Sequence, residues 1–113
     1  LQDFGLLEII TTGATHGLLP LMANHPPSVR AQILVARDSY RDCFGCDPRG
    51  IWLPECAYFE GVEAYLQEAN LRWFIVDSHG LLHAHPRPRH PARAILLRVS
   101  MMSGAWRAMK GQS

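Results

Sequence analysis

Residues 51–53, Ile51-Trp52-Leu53, and residues 73–76, Trp73-Phe74-Ile75-Val76, are short apolar runs without polar alternation, the pattern of strands covered on both faces. Between them, from about Glu60 to Leu71, Val62, Tyr65, Leu66 and Ala69 fall on one face of a helix, and Asn70 stands near its end as a cap. Two buried strands joined through a helix call for parallel pairing, because only a crossover of that kind returns the chain to the same end of the sheet.

Upstream, residues 4–12 begin with Phe4-Gly5-Leu6-Leu7-Glu8-Ile9-Ile10 and read as a further buried strand, broken by Gly13 and Gly17. Pro26-Pro27-Ser28 opens a helix whose Val29, Ile33, Ala36, Tyr40 and Phe44 make one apolar stripe, and Gly45 ends it. The order is strand, helix, strand, helix, strand, an α/β layout with a parallel sheet. In such sheets chemistry gathers beyond the carboxyl ends of the strands. Three polar exits stand there: His16, Glu55, and the pair Asp77 and His79. Residues 83–94 are turn-like and Pro-rich, and residues 95–110 are apolar and basic without a period that assigns them.

With 48% hydrophobic and 19% charged residues, the 113-residue chain has the balance of one folded domain and not of a disordered segment. It starts without a methionine and almost at once enters an apolar run, as a piece of a longer protein would. No apolar stretch approaches the roughly 20 residues of a membrane span, and no secretory signal pattern opens the chain. All ten acidic residues lie at or before Asp77, and six of the eleven basic residues lie after it. The basic end alternates arginine with proline and histidine, without stacking aromatics, so neither nucleic acid nor membrane is the expected partner. Three cysteines, an odd number, argue for a reducing compartment and a cytoplasmic location.

Cleavage of a glycosidic bond commonly uses two carboxyl groups, one attacking the sugar carbon and one protonating the leaving oxygen. Glu55 is the candidate for attack: Pro54 fixes the backbone before it, and Trp52 and Tyr58 offer flat faces for sugar rings. Asp77 leaves a neighbouring strand and geometry alone would pair it with Glu55, although a turn-capping role suits it as well. His16 is placed to bond a sugar hydroxyl or the nucleophile. The rival signal is Cys43-Phe44-Gly45-Cys46, which suggests a thiol redox pair or half of a metal site. Its position at a helix C-terminus, where the dipole disfavours a thiolate, argues instead for packing thiols. His83 and His85 lie in a Pro-rich segment with no accompanying acid, and neither metal nor cofactor is expected.

Gly50-Ile51-Trp52-Leu53-Pro54-Glu55-Cys56-Ala57-Tyr58 resembles the nucleophile motif of family 57 glycoside hydrolases, in particular the α-1,4-glucan branching enzymes among them. Leu7-Glu8-Ile9-Ile10-Thr11 with Ala14-Thr15-His16-Gly17-Leu18-Leu19-Pro20-Leu21 is similar to the motif preceding it in that family, and residues 76–84 to the stretch following it. The resemblance implies a partial (β/α)7 barrel over residues 1–89 and a double displacement with retention, acting on α-glucan. It implies Glu55 as nucleophile and His16 in the donor-sugar subsite, with transfer to a glucan 6-hydroxyl in branching enzymes. The family's general acid is an aspartate on a later strand, outside this chain, so Asp77 and His79 stay secondary candidates. After about Arg89 the likeness stops, and residues 90–113 are expected to be an unrelated or out-of-frame basic tail. The alternatives are a small α/β thiol-redox or metal-binding module using Cys43 and Cys46, and a catalytically silent barrel relative.

Overall fold

The computed structural model describes residues 1–77 and the backbone of residues 95–98. The expectations for His79, for His83 and His85, and for the basic tail apart from residues 95–98 lie outside the described residues.

Helix α1 runs Pro26–Phe44. Proline suits its first turn, where an N–H would have no intrahelical acceptor. Gly45 closes it in the left-handed region at φ 68°, its N–H donating to the Arg41 carbonyl at 2.8 Å. The stripe expected from the sequence is buried at Val29, Ile33, Ala36 and Tyr40. Phe44 departs from it: one turn beyond the core, it leans on the Tyr40 ring at 4.6 Å and stays 48% exposed.

Strand β1 spans Gly50–Trp52, helix α2 Val62–Glu68 and strand β2 Trp73–Val76. β1 and β2 pair in parallel, with Ile51 opposite Phe74 and Trp52 opposite Ile75. α2 is shorter than the expected 60–71. It ends at Asn70, which takes the left-handed conformation at φ 58°. The Asn70 N–H donates to Gln67 and the Leu71 N–H reaches back to Leu66 at 2.9 Å, while Leu66 and Leu71 are both buried. This is the double hydrogen bond and apolar contact of a Schellman ending.

Two expectations about the sheet are corrected. Residues 4–12 do not form a full strand. Gly5 turns the chain at φ 72°, Phe4 is 83% exposed, and strand-like pairing is confined to a parallel bridge between Thr11 and Ile51. A buried strand needs a partner edge and a layer on each face. Among the described residues only Thr11 engages the free edge of β1, its N–H donating to Gly50 at 3.1 Å and its carbonyl accepting from Trp52 at 2.8 Å. Secondly, the sheet is mixed and not all parallel. Strand β3, Ile95–Arg98, in the stretch without an assigning period, pairs antiparallel to the other edge of β2, with Phe74 opposite Leu97.

Strand alternation gives the sheet two unlike faces. Ile51, Leu53, Phe74 and Val76 pack with Leu19, Val29, Ile33, Val62 and Leu66 in one core, so both helices cover the same side. Gly50 and Trp52 alternate to the other side, where Trp52 is 42% exposed, so cover on both faces is not met. Gly50 has no room for a side chain there: a Cβ would stand 2.2 Å from the Trp73 ring. Burying each large apolar side chain is worth about 1.5–3 kcal/mol, against at most about 1 kcal/mol for an exposed ion pair, so this core outweighs the Arg30–Glu68 bridge joining the two helices.

The Schellman ending of α2 yields a measurable expectation. Asn70→Ala places a side chain poorly suited to the left-handed region and should cost about 1 kcal/mol, whereas Asn70→Gly should cost nothing. Denaturant unfolding of the three proteins checks this.

Candidate active site

Glu55 sits directly beyond β1, in a short turn of 3-10 helix, Pro54–Cys56. Its backbone is left-handed at φ 57° and ψ 23°, and Cys56 follows at φ 53°. Non-glycine residues in this region cost about 1–2 kcal/mol each. The turn is held by the Cys56 N–H donating to Leu53 at 2.8 Å and the Ala57 N–H donating to Pro54 at 3.1 Å. Pro54 itself is fully buried, so the residue before the carboxylate is anchored in the core.

His16 approaches from the other side of β1, in the loop that follows Thr11. It too is left-handed, at φ 57°, and its N–H donates to Gly13 at 3.1 Å. Its Nε2 lies 3.2 Å from Glu55 Oε1. With its proton on Nε2, the ring donates to that oxygen, and Glu55 Oε2 is left without a hydrogen-bond partner among the described residues. The side chains are 53% and 75% exposed. A pair so open to water contributes at most about 1 kcal/mol. That is less than the strain carried by the three left-handed residues, so the contact does not exist for the sake of the fold.

The loop bearing His16 is tied to α1 by Gln32, a residue the sequence reading passed over. Gln32 Oε1 accepts from the Thr15 N–H at 3.1 Å and the Gly17 N–H at 3.4 Å, and Gln32 Nε2 donates to Thr15 Oγ1 at 2.6 Å. Its signal in the sequence was a polar side chain one position before the buried Ile33, at the margin of the apolar stripe.

The other candidates are placed differently. Trp52 presents an exposed ring on the face away from the helices, and its carbonyl accepts from Thr12 Oγ1 at 2.8 Å. Tyr58 is half-buried and stacks on Phe74, centroids 6.0 Å apart and planes within 7°. Its hydroxyl donates to Glu63 Oε1, and burial first, then Glu63, pushes its pKa well up. Glu63 is itself buried, its other oxygen accepting from the Gly61 N–H at 3.0 Å. Tyr58 thus ties α2 to the core with at least part of its ring committed. Asp77 follows β2 and is exposed. The Cys56 thiol has its pKa raised by burial and by the Asp77 and Glu55 carboxylates, which puts both acids within electrostatic reach of one sulfur.

Cys43 and Cys46 are free and exposed, at the carboxyl end of α1, so the expectation of packing thiols is not met for this pair. Cys46 Sγ accepts from Gln2 Nε2 at 3.4 Å. Among the described residues no group of three histidine, cysteine or acidic side chains could hold a metal ion, and no helix is long and apolar enough to cross a membrane. A small cleft lined by Gln2, Glu8, Tyr40, Asp47 and Arg49 lies at the amino-terminal end of β1, on the opposite rim from Glu55.

Residues 1–103 match the family model of Glycosyl hydrolase family 57. The chain belongs to glycosyl hydrolase family 57. A 1,4-alpha-glucan branching enzyme from Thermococcus kodakarensis is 43% identical over 93 residues, which are 69% of this chain and 14% of that protein. Among solved structures, the alpha-amylase AmyC from Thermotoga maritima aligns with a TM-score of 0.75 at 45% identity, covering 78% of this chain and 17% of its own. A family 57 branching enzyme from Pyrococcus horikoshii aligns with a TM-score of 0.68 at 38% identity, covering 78% and 19%. The chain spans about a seventh of the length of the curated relatives it matches.

Two outcomes follow from the geometry. Glu55→Gly removes an exposed, strained side chain and should leave stability unchanged or raise it by about 1 kcal/mol, as thermal unfolding would register. The raised pKa keeps the Cys56 thiol protonated at neutral pH. Iodoacetamide at pH 8 should therefore label exposed Cys43 and Cys46 well before Cys56, with Cys56 labelling accelerating only at more alkaline pH, as peptide mass spectrometry would follow.

Proposed function

We propose that this chain is the nucleophile-bearing part of a retaining glycoside hydrolase or transglycosylase acting on α-glucan, a 1,4-α-glucan branching enzyme in the first instance. The observation that carries the reading is the contact of His16 Nε2 with Glu55 Oε1 at 3.2 Å, between residues 39 positions apart that both adopt strained backbones. Side chains held at such a cost with little return in stability are characteristic of working sites.

In this reading Glu55 Oε2 attacks the anomeric carbon while His16 holds Oε1, so one oxygen is oriented and the other is free to form the glycosyl bond. The leaving oxygen takes its proton from an acid outside this chain, and Asp77 is a secondary candidate for shaping charge near Glu55. The exposed ring of Trp52 serves as a platform for a glucose unit, with the Tyr58 ring edge as the lesser contributor. His79, outside the described residues, stays a secondary candidate. In the second displacement a sugar 6-hydroxyl attacks the anomeric carbon and gives its proton to the conjugate base of the acid outside this chain, so the glucosyl chain is transferred and Glu55 is released as the carboxylate. Parallel pairing with both helices on one face of the sheet favours residues 1–89 as a sector of a (β/α)7 barrel. Free thiols at all three cysteines favour a cytoplasmic setting.

The likeness to a protein described as an alpha-amylase supports a second reading, in which water and not a sugar hydroxyl resolves the glycosyl intermediate. In the full-length protein, Glu55→Gln should lower turnover on amylose by about 10⁴-fold or more, the scale on which a covalent nucleophile matters, with the fold retained by circular dichroism. Full activity in that variant overturns the assignment. Debranching the wild-type product and sizing its chains separates the two readings, since transfer creates α-1,6 branches and hydrolysis creates reducing ends.

A further inference from the structure

We propose that Gln32 is a positioning residue for this reaction, acting through the loop of residues 13–17 to hold His16 against Glu55. The inference rests on the roles given above to those two residues. Gln32 does not touch either of them. Its carboxamide instead brackets His16 in the chain: Oε1 accepts from the N–H groups of Thr15 at 3.1 Å and Gly17 at 3.4 Å, and Nε2 donates to Thr15 Oγ1 at 2.6 Å. The Gln32 backbone carbonyl adds a fourth bond, accepting from the Ala14 N–H at 3.0 Å.

The chemistry of the site selects a carboxamide. Two amide donors converge on one oxygen while a hydroxyl oxygen faces the nitrogen, and an aliphatic side chain supplies neither half of that pattern. His16 has a left-handed backbone at φ 57°, a conformation an unrestrained loop would leave. The bonds on either side of it keep the ring aimed at Oε1.

The same side chain also bears on the approach to Glu55. Gly13 lies between Gln32 and Pro54, and a Cβ on it would stand 3.0 Å from Pro54 Cγ and 3.1 Å from Gln32 Oε1. Helix α1, the histidine loop and the turn bearing the carboxylate are therefore in contact through this one point. Because α1 is anchored in the core at Val29 and Ile33, on either side of Gln32, the positioning is referred to the rigid part of the molecule.

The test is a double-mutant cycle in the full-length protein, with initial rates on amylose. Gln32→Leu should lower kcat by about 10- to 100-fold, the scale of a catalytic group displaced by an ångström, with KM changed by less than about threefold. Thr15→Val, on an exposed loop, should give a smaller loss in kcat of about threefold by weakening the same clamp. In a His16→Ala background both substitutions should change kcat by less than about twofold, because the group they position is gone. If Gln32→Leu fails to fold by circular dichroism, the Thr15→Val and His16→Ala cycle decides alone. Equal losses with and without His16, an unchanged kcat in Thr15→Val, or a loss confined to KM each overturn the role of Gln32. Those outcomes leave Glu55 as nucleophile intact, whereas an active Glu55→Gln protein removes the reading on which the proposal stands.

Discussion

Ile51 stands between parallel neighbours on both edges, opposite Thr11, which Gly50 and Trp52 bond on one side, and opposite Phe74 of β2 on the other, and the site depends on that arrangement. Parallel pairing turns the carboxyl ends of neighbouring segments toward the same rim. The residues that leave that rim, His16 after Thr11 and Glu55 after β1, are brought within 3.2 Å although the whole of α1 separates them in the chain. Had either neighbour paired antiparallel to β1, its exit would have faced the other end of the sheet, where Glu8 and Arg49 now bond each other at 3.0 Å.

The energetics divide along the same line. The helix-covered face, with Ile51, Leu53, Phe74 and Val76 buried against α1 and α2, supplies the stability. The rim carries left-handed backbone at His16, Glu55 and Cys56 and a hydrogen-bonded contact open to water. Buried Pro54 couples the two regions, because it is packed into the stable part and directly precedes the strained part. Strain of this kind at the rim is tolerated on account of packing elsewhere.

The fold was legible wherever a local signal was strong. Pro26 and Gly45 bound α1 because one lacks the N–H that a first turn leaves unbonded and the other takes a positive φ without strain. Trp73 to Val76 forms β2 as its apolar run indicates, and Asn70 ends α2 in the left-handed conformation that asparagine tolerates. Residues 4–12 have as strong an apolar run, yet they pair only at Thr11, since hydrophobicity marks a segment as fit for burial but does not supply the partner that buries it. β3 shows the converse: its short run Ile95-Leu96-Leu97 lies in a stretch without an assigning period, and pairing with β2 is what makes it a strand. Tyr58 reads in sequence as a free aromatic near the carboxylate, and its stacking on Phe74 comes from the packing of a turn against β2.

Chain-local information was therefore enough for the α/β class, for both helices, for β1 and β2, and for the family through the motif from Gly50 to Tyr58. It also named Glu55 and His16, with the nucleophile as one of two partners open to the histidine. Their meeting, the left-handed turn that presents the carboxylate, and the clamp that Gln32 places on the histidine loop all arose on folding. Each is a contact between segments far apart in the chain, and its geometry is set by strand register and by the seat of α1 on the sheet. Neither of those quantities is carried by any one stretch of residues, because register and seating are fixed only when many weak apolar contacts are satisfied together.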